Sequence, residues 1–134
     1  MKNYESGNET AIFVTAVNCM DGRVQTPVIE WLIKHYHADY VDMITEPGPE
    51  RLLAEGTELH IVDSIKKRVD ISVNRHKSKV VAVFGHYDCA GNPADKDMQL
   101  KQIITAVKTI KSWDFGVEVI GLQIDQKWQI NKVS

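Results

Sequence analysis

The stretch KVVAVF at residues 79–84 gives the clearest indication of how this chain folds. It is short, apolar and rich in valine, which is typical of a strand buried on both faces of a parallel sheet. Similar runs occupy residues 11–18 (AIFVTAVN) and, more weakly, residues 40–45 (YVDMIT). We expect a fourth strand at residues 116–124 and a short edge strand at residues 128–130.

The segments between these strands have the apolar periodicity of helices. Thr26 followed by Pro27 predicts an N-cap and a first-turn proline for a helix that ends near Tyr36. Apolar residues spaced three and four apart predict a second helix over residues 50–74. An apolar stripe after Asp95 predicts a third.

The alternation of strands and helices defines the expected fold class. The order β-α-β-α-β-α-β predicts an α/β protein in which helices flank a mostly parallel sheet of four or five strands. We expect the strand order 2-1-3-4 and a single domain over residues 1–134, with residues 1–9 as a frayed leader. In such a sheet, ligands bind beyond the carboxyl ends of the strands, where the strand order reverses.

Composition and charge restrict the kinds of partner. With 16 basic and 18 acidic side chains the formal net charge is −2, which argues against broad electrostatic binding of nucleic acid or anionic membranes. Because no apolar run could span a bilayer and residues 1–10 do not resemble a signal peptide, we expect a cytoplasmic protein. Thiols stay reduced there, so we interpret Cys19 and Cys89 as metal-binding, catalytic or inert groups, and not as a disulfide.

Three side chains that suit a metal ion follow the two strands expected at the centre of the sheet. Cys19 leaves the first strand, and His86 and Cys89 leave the third. A single cysteine at a strand end is more often a small buried hydrophobe, but two thiolates and an imidazole at neighbouring strand ends favour zinc. Three protein ligands leave one position open for water, as in catalytic zinc sites. The sequence therefore predicts one zinc ion per chain.

An acid and a base lie close to this predicted site. Asp21 lies two residues after Cys19, and Arg23 lies two residues after Asp21. A carboxylate beside a metal-bound water can accept its hydrogen bond, and an arginine keeps that carboxylate ionised and fixed in position. The alternative is an ordinary turn salt bridge near the start of a helix.

Two motifs resemble those of a known family. CMDGR at residues 19–23 and HYDC at residues 86–89 are similar to the signatures Cys-x-Asp-x-Arg and His-x-x-Cys of β-class carbonic anhydrases. The chain departs from the family's pattern at Gly22, where serine or a similar small residue is usual. It departs again after the second motif, where Ala90-Gly91 replaces the common Gly-Gly pair.

The resemblance implies a role for each of these residues. Cys19, His86 and Cys89 would bind zinc, and Asp21 and Arg23 would form the acid–arginine dyad. The expected activity is reversible hydration of carbon dioxide to bicarbonate by a hydroxide on the Cys2His zinc, which Asp21 helps to orient. In some family members the aspartate instead binds the metal and closes the site. The family also implies a homodimer or higher homo-oligomer.

Other functions remain open. The same zinc chemistry would serve a hydrolase of carbonyl sulfide or carbon disulfide. A site that is closed by Asp21 or lacks a substrate niche would leave a zinc-binding protein without catalysis. Thiol phosphatase chemistry is disfavoured because only three residues separate Cys19 from Arg23, and the arginine position of such loops holds Gln25. The segment 85–91 lacks the glycine pattern and the lysine of phosphate-binding loops, which disfavours a nucleotide site.

The three tryptophans have no motif around them. We interpret them as packing or interface groups: Trp31, Trp113 and Trp128.

Overall fold

One mostly parallel sheet organises residues 10–134, the part of the chain that the computed structural model describes; the predicted leader, residues 1–9, lies outside it. Within this part, five strands have the order β2-β1-β3-β4-β5, with the first four parallel and β5 antiparallel to β4. The strands are β1 (Phe13–Cys19), β2 (Tyr40–Glu46), β3 (Val80–His86), β4 (Glu118–Ile124) and β5 (Ile130–Lys132). The predicted α/β class and the order 2-1-3-4 are confirmed.

The central strands β1 and β3 are buried along their whole length, as expected for strands covered on both faces. They end at Cys19 and His86, slightly later than predicted. The predicted edge strand at residues 128–130 is displaced to Ile130–Lys132. Its place is taken by a turn, because the carboxylate of Asp125 binds backbone N–H groups of the residues that follow.

Four helices cover the two faces of the sheet in the described residues. They are α1 (Gly22–Tyr36), α2 (Pro49–Glu55), α3 (Leu59–Asp70), which continues into a π-helical turn (Ile71–Arg75), and α4 (Lys96–Ser112). The buried side of α1 packs on one face, and α2, α3 and α4 pack on the other, so each face has its own apolar core. None of the helices in residues 10–134 is both long and apolar enough to cross a membrane.

The start of α1 differs from the prediction, which placed the N-cap at Thr26. Asp21 is the N-cap, and its carboxylate accepts a hydrogen bond of 2.9 Å from the backbone N–H of Arg23. A carboxylate at this position satisfies a free N–H group and interacts favourably with the positive end of the helix dipole. The helix therefore begins at Gly22, and Pro27 lies inside it at the cost of one intrahelical hydrogen bond.

The single helix predicted over residues 50–74 is divided into α2 and α3. Gly56 ends α2 in the left-handed conformation, with φ of 65°. At the far end of α3, Ser72 binds Thr15 of β1 and Asp42 of β2 through its hydroxyl group, each at 2.6 Å. These hydrogen bonds fix the π-helical turn against the sheet, and apolar periodicity cannot reveal them.

Helix α4 approaches β4 most closely at Gly121. A Cβ atom at this position would lie 2.6 Å from Cγ2 of Ile103 and 2.9 Å from Cγ2 of Val107. Real side chains do not pack at such distances, so only glycine permits this helix–strand contact.

We expect Gly121→Ala to lower the free energy of unfolding by about 1–3 kcal/mol, because the added methyl group overpacks the α4–β4 contact. Urea denaturation followed by circular dichroism measures the change. Gly22→Ala is the matched control, since a Cβ atom at Gly22 has no neighbour within 4 Å. Equal stability of the two variants would contradict this view of the packing.

Candidate metal centre

The structure brings together the three side chains predicted to bind a metal ion. Cys19 ends β1, His86 ends β3, and Cys89 follows in the next loop. Their ligand atoms all lie within 4.8 Å of one another, and the two Sγ atoms are 3.8 Å apart. All three side chains are buried, and a group of this kind could hold a metal ion.

The pairing of β1 with β3 explains why these residues meet. The two strands are parallel neighbours in which Val17 lies opposite Val83. Both strands therefore end at the same edge of the sheet, where Cys19 and His86 leave them. Asp88 then reverses the chain in the left-handed conformation, with φ of 58°, which aspartate adopts more readily than most residues.

A close backbone contact between Gly91 and Pro47 supports the loop that carries Cys89. A Cβ atom at Gly91 would lie 2.6 Å from the carbonyl carbon of Pro47. The loop that carries Cys89 is thus pressed against the end of β2 in a way that only glycine allows.

The imidazole of His86 is oriented for metal binding. Its Nδ1 lies 2.7 Å from the backbone carbonyl of Tyr87. Because a carbonyl only accepts hydrogen bonds, Nδ1 carries a proton, and in the neutral imidazole Nε2 therefore keeps its lone pair. That Nε2 is buried and has no hydrogen-bond partner among the described residues. A buried acceptor without a donor is costly, and a cation beside the two sulfurs would satisfy it. Two sulfurs and one imidazole nitrogen are the ligand set that zinc accepts readily.

The two thiols influence each other strongly. Hydrogen bonding with Cys89 lowers the pKa of Cys19 well below that of a free thiol, although burial opposes the charge. The same interaction raises the pKa of Cys89, because the pair shares one proton. The hydrogen bond within the pair therefore favours the thiolate form of Cys19 over that of Cys89.

The predicted ion pair of Asp21 and Arg23 is present beside the cluster. The guanidinium group donates to both carboxylate oxygens, with a shortest distance of 2.7 Å from Nη2 to Oδ2. Hydrogen bonds from the Arg23 side chain and backbone lower the pKa of Asp21 to about 2, so this carboxylate is ionised at neutral pH. Asp21 is not a member of the group within 4.8 Å, which consists of Cys19, His86 and Cys89.

Sequence reasoning missed two further contacts of Arg23. Its guanidinium group also binds Asp88, through Nη1 to Oδ2 at 3.2 Å and through Nη2 to the backbone carbonyl at 3.1 Å. Its Cζ lies 4.9 Å from the centre of the Trp128 ring. The sequence did contain a signal for Asp88, because this residue is the third of the motif HYDC and lies between two predicted ligands. No pattern in the sequence pointed to Trp128.

Buried amides fix the end of β3, and the sequence analysis did not identify them. Gln99 on α4 donates to the backbone carbonyl of His86 at 2.8 Å, and its own carbonyl accepts from Gln123 of β4 at 3.1 Å. A glutamine at a buried position of the apolar stripe on α4 could have signalled this role. Helix α4 is thereby hydrogen-bonded to the strand that carries the histidine.

A carboxylate buried behind the cluster was also missed. Glu50 is fully buried, and Asn92 donates to its Oε1 at 3.0 Å and to Gln102 at 2.7 Å. Within residues 10–134, Oε2 of Glu50 has no hydrogen-bond partner. Burial raises the pKa of Glu50 to about 7, although the hydrogen bond from Asn92 opposes this shift.

A cavity of about 520 Å³ adjoins the loop between His86 and Cys89. Its walls include Tyr87 and Asp88 from this loop and Gln99 and Gln123 from the buried amide pair. None of the three clustered side chains lines it.

Comparisons with known proteins agree with this geometry. The family model described as "Putative carbonic anhydrase" matches residues 9–134. No curated protein matches the chain significantly. Among solved structures, a tetrameric β-carbonic anhydrase from the filamentous ascomycete Sordaria macrospora is 13% identical. That match covers 92% of this chain and 81% of the other, with a TM-score of 0.56.

A second solved structure is the β-carbonic anhydrase CafA of the fungal pathogen Aspergillus fumigatus. It is 15% identical, with 90% of this chain and 74% of the other covered and a TM-score of 0.48. The first comparison shows a shared fold, and the resemblance inferred from the two motifs is confirmed. Since the family model extends over almost the whole sequence, this chain belongs to the putative carbonic anhydrase family.

Proposed function

We propose that this protein catalyses the reversible hydration of carbon dioxide to bicarbonate with one zinc ion per chain, bound by Cys19, His86 and Cys89. The observation that carries the proposal is the buried, unpaired Nε2 of His86 beside two sulfur atoms that are 3.8 Å apart. Family membership supports the same reaction.

The residues around the cluster have complementary roles in this proposal. When bound, zinc would supply the Lewis acidity that activates a water molecule for attack on carbon dioxide. The carbonyl of Tyr87 fixes the imidazole of His86, so that Nε2 faces the sulfurs. Asp21 is ionised and close in sequence to Cys19, and it would accept a hydrogen bond from the reacting water. Arg23 would hold that carboxylate in place.

The position of Asp21 supports an open site over a closed one. Both of its oxygens bind Arg23, and its side chain is separate from the group within 4.8 Å. With three protein ligands, one coordination position stays available for water, which catalysis requires. A site closed by the aspartate would need Asp21 to leave Arg23.

We also propose that the chain forms a homodimer or a higher homo-oligomer. The solved structure from Sordaria macrospora, which shares the fold, is described as tetrameric. Apolar side chains such as Met20 and Tyr87 are at least half exposed at the carboxyl edge of the sheet, where a partner subunit would cover them. The cytoplasmic location predicted from the sequence stays a prediction.

Metal analysis tests the ligands. We expect about one zinc ion per chain in the purified protein and loss of zinc in Cys89→Ser and His86→Gln, because each change removes a ligand. His60→Gln is the matched control, since His60 is exposed on α3. Wild-type protein without zinc, or retention of zinc in both ligand variants, would contradict the assignment.

Stopped-flow measurement of carbon dioxide hydration tests the reaction. We expect Asp21→Asn to retain zinc and to lose about 10- to 100-fold in activity, the usual range for a residue that orients a metal-bound group. Asp63→Asn, an exposed aspartate on α3, should behave like wild type. Zinc-loaded protein without hydration activity at neutral and mildly alkaline pH would favour the non-catalytic alternative. Activity on carbonyl sulfide or carbon disulfide alone would favour the hydrolase.

Light scattering during size-exclusion chromatography tests the assembly. We expect a mass of at least twice the 15.2 kDa of one chain. A monomer at micromolar and higher concentrations would contradict the proposed oligomer.

A further inference from the structure

We propose that Trp128 is a positioning residue of this site, which holds the guanidinium group of Arg23 between Asp21 and Asp88. The inference rests on the proposed function, because Asp21 is the carboxylate expected to orient the reacting water. It assigns a task to the loop between β4 and β5, which contributes no side chain to the Cys19, His86 and Cys89 cluster.

The contacts of Arg23 form a clamp with three sides. Asp21 binds it at 2.7 Å, and Asp88 binds it at 3.2 Å through the side chain and at 3.1 Å through the backbone. The indole ring of Trp128 completes the clamp, with the guanidinium carbon 4.9 Å from the ring centre. This separation is within the range of cation–π interactions.

The clamp connects the two segments that carry the cysteines and the histidine. Asp21 lies two residues after Cys19, and Asp88 lies between His86 and Cys89. A displacement of the guanidinium group would therefore loosen the carboxylate on one side and the ligand loop on the other.

Because Arg23 is exposed, its ion pairs alone hold the guanidinium group only weakly. The Arg23 side chain is 48% exposed, and ion pairs in solvent contribute little because the charges are hydrated and the side chains are mobile. An aromatic ring restricts the guanidinium group by packing as well as by charge. Without the ring, the arginine could leave Asp21, and that carboxylate would be free to turn towards the metal.

The turn between β4 and β5 fixes the backbone of Trp128 and thereby the position of its ring. Trp128 has φ of 60°, a conformation that is uncommon for a bulky residue and is sustained only where the surroundings determine it. Asp125 supplies that constraint. Its side chain accepts from the backbone N–H groups of Lys127 and Gln129 at 2.9 and 3.0 Å and from the side chain of Asn131 at 3.1 Å. Its backbone carbonyl accepts from the N–H of Trp128 at 2.9 Å.

Two substitutions separate the ring from the turn. Trp128→Gly removes the ring but accepts the left-handed conformation without strain. Trp128→Phe keeps an aromatic face at the same place. Trp113→Leu is the matched control, because Trp113 packs with the apolar core on the other face of the sheet.

Nuclear magnetic resonance of the Nε–Hε group of Arg23, assigned with Arg23→Lys, gives a readout that does not require activity. In zinc-loaded wild type we expect one slowly exchanging signal, shifted by the ring current of the indole. Trp128→Phe and Trp113→Leu should keep a protected signal, and Trp128→Gly should lose it. An unchanged signal in Trp128→Gly would overturn the proposal. So would loss of zinc from that variant, which would indicate a general structural role.

Hydration kinetics on the same proteins provide the second readout. We expect Trp128→Gly to lower kcat/KM about fivefold to tenfold at full zinc content, the effect of losing one partly exposed cation–π contact, and Trp128→Phe to restore most of it. Wild-type activity in Trp128→Gly would overturn the proposal. If zinc-loaded wild type is inactive, the proposed function fails, while the Arg23 signal still decides whether Trp128 positions the arginine.

Discussion

The parallel pairing of β1 with β3 is the constraint on which the rest of the site depends. Because the two strands are buried neighbours that end at one edge, they bring Cys19 and His86 together across more than sixty residues of sequence. The short reversal at Asp88 then adds Cys89. No long loop has to be ordered to assemble the three side chains, because the rigid strands of the sheet position them.

Around this pairing, buried polar groups fix the end of β3 and the loop that carries Cys89, which apolar packing alone would not hold in one position. The amide of Gln99 ties α4 to the end of β3, and Asn92 ties the ligand loop to Glu50 on α2. Hydrogen bonds in a buried environment are directional, and an unmade one is costly. The two helices therefore hold the strand end and the loop in one arrangement. Oε2 of Glu50 is an exception, because it has no hydrogen-bond partner among the described residues. Burial of this carboxyl group raises the pKa of Glu50.

Much of the fold was predictable because its signals are local. Buried parallel strands are short apolar runs, and their alternation with helices predicts a parallel sheet, for which 2-1-3-4 is one of several possible strand orders. The convergence of Cys19, His86 and Cys89 followed in turn from that order. The start of α1 was mispredicted because Asp21, and not Thr26, caps the helix, and the split of residues 50–74 depends on Gly56, which ends α2 in the left-handed conformation. The N-cap and the helix-ending glycine are local features, and the hydrogen bonds of Ser72 to the sheet are tertiary ones. Apolar periodicity contains neither kind of information.

The surroundings of the site were less predictable, for a related reason. Gln99, Glu50 and Trp128 come from three separate segments, and only Gln99, a glutamine at a buried position of α4, has a signal in its own segment. The contact of Arg23 with Trp128 depends on a turn that displaces β5 by two residues from its predicted place. The roles of Cys19, His86, Cys89, Asp21 and Arg23 in zinc binding and catalysis stay predictions.

The small number of segments that form the cluster also determines where the chain can change without disturbing it. All three side chains come from two segments, at position 19 and at positions 86–89, both anchored to adjacent strands. Insertions and deletions in surface connections away from the site, such as the one around Gly56, would change the outline of the molecule without moving these strand ends. The surface connections can therefore change in length and composition while Cys19, His86 and Cys89 keep their relative positions.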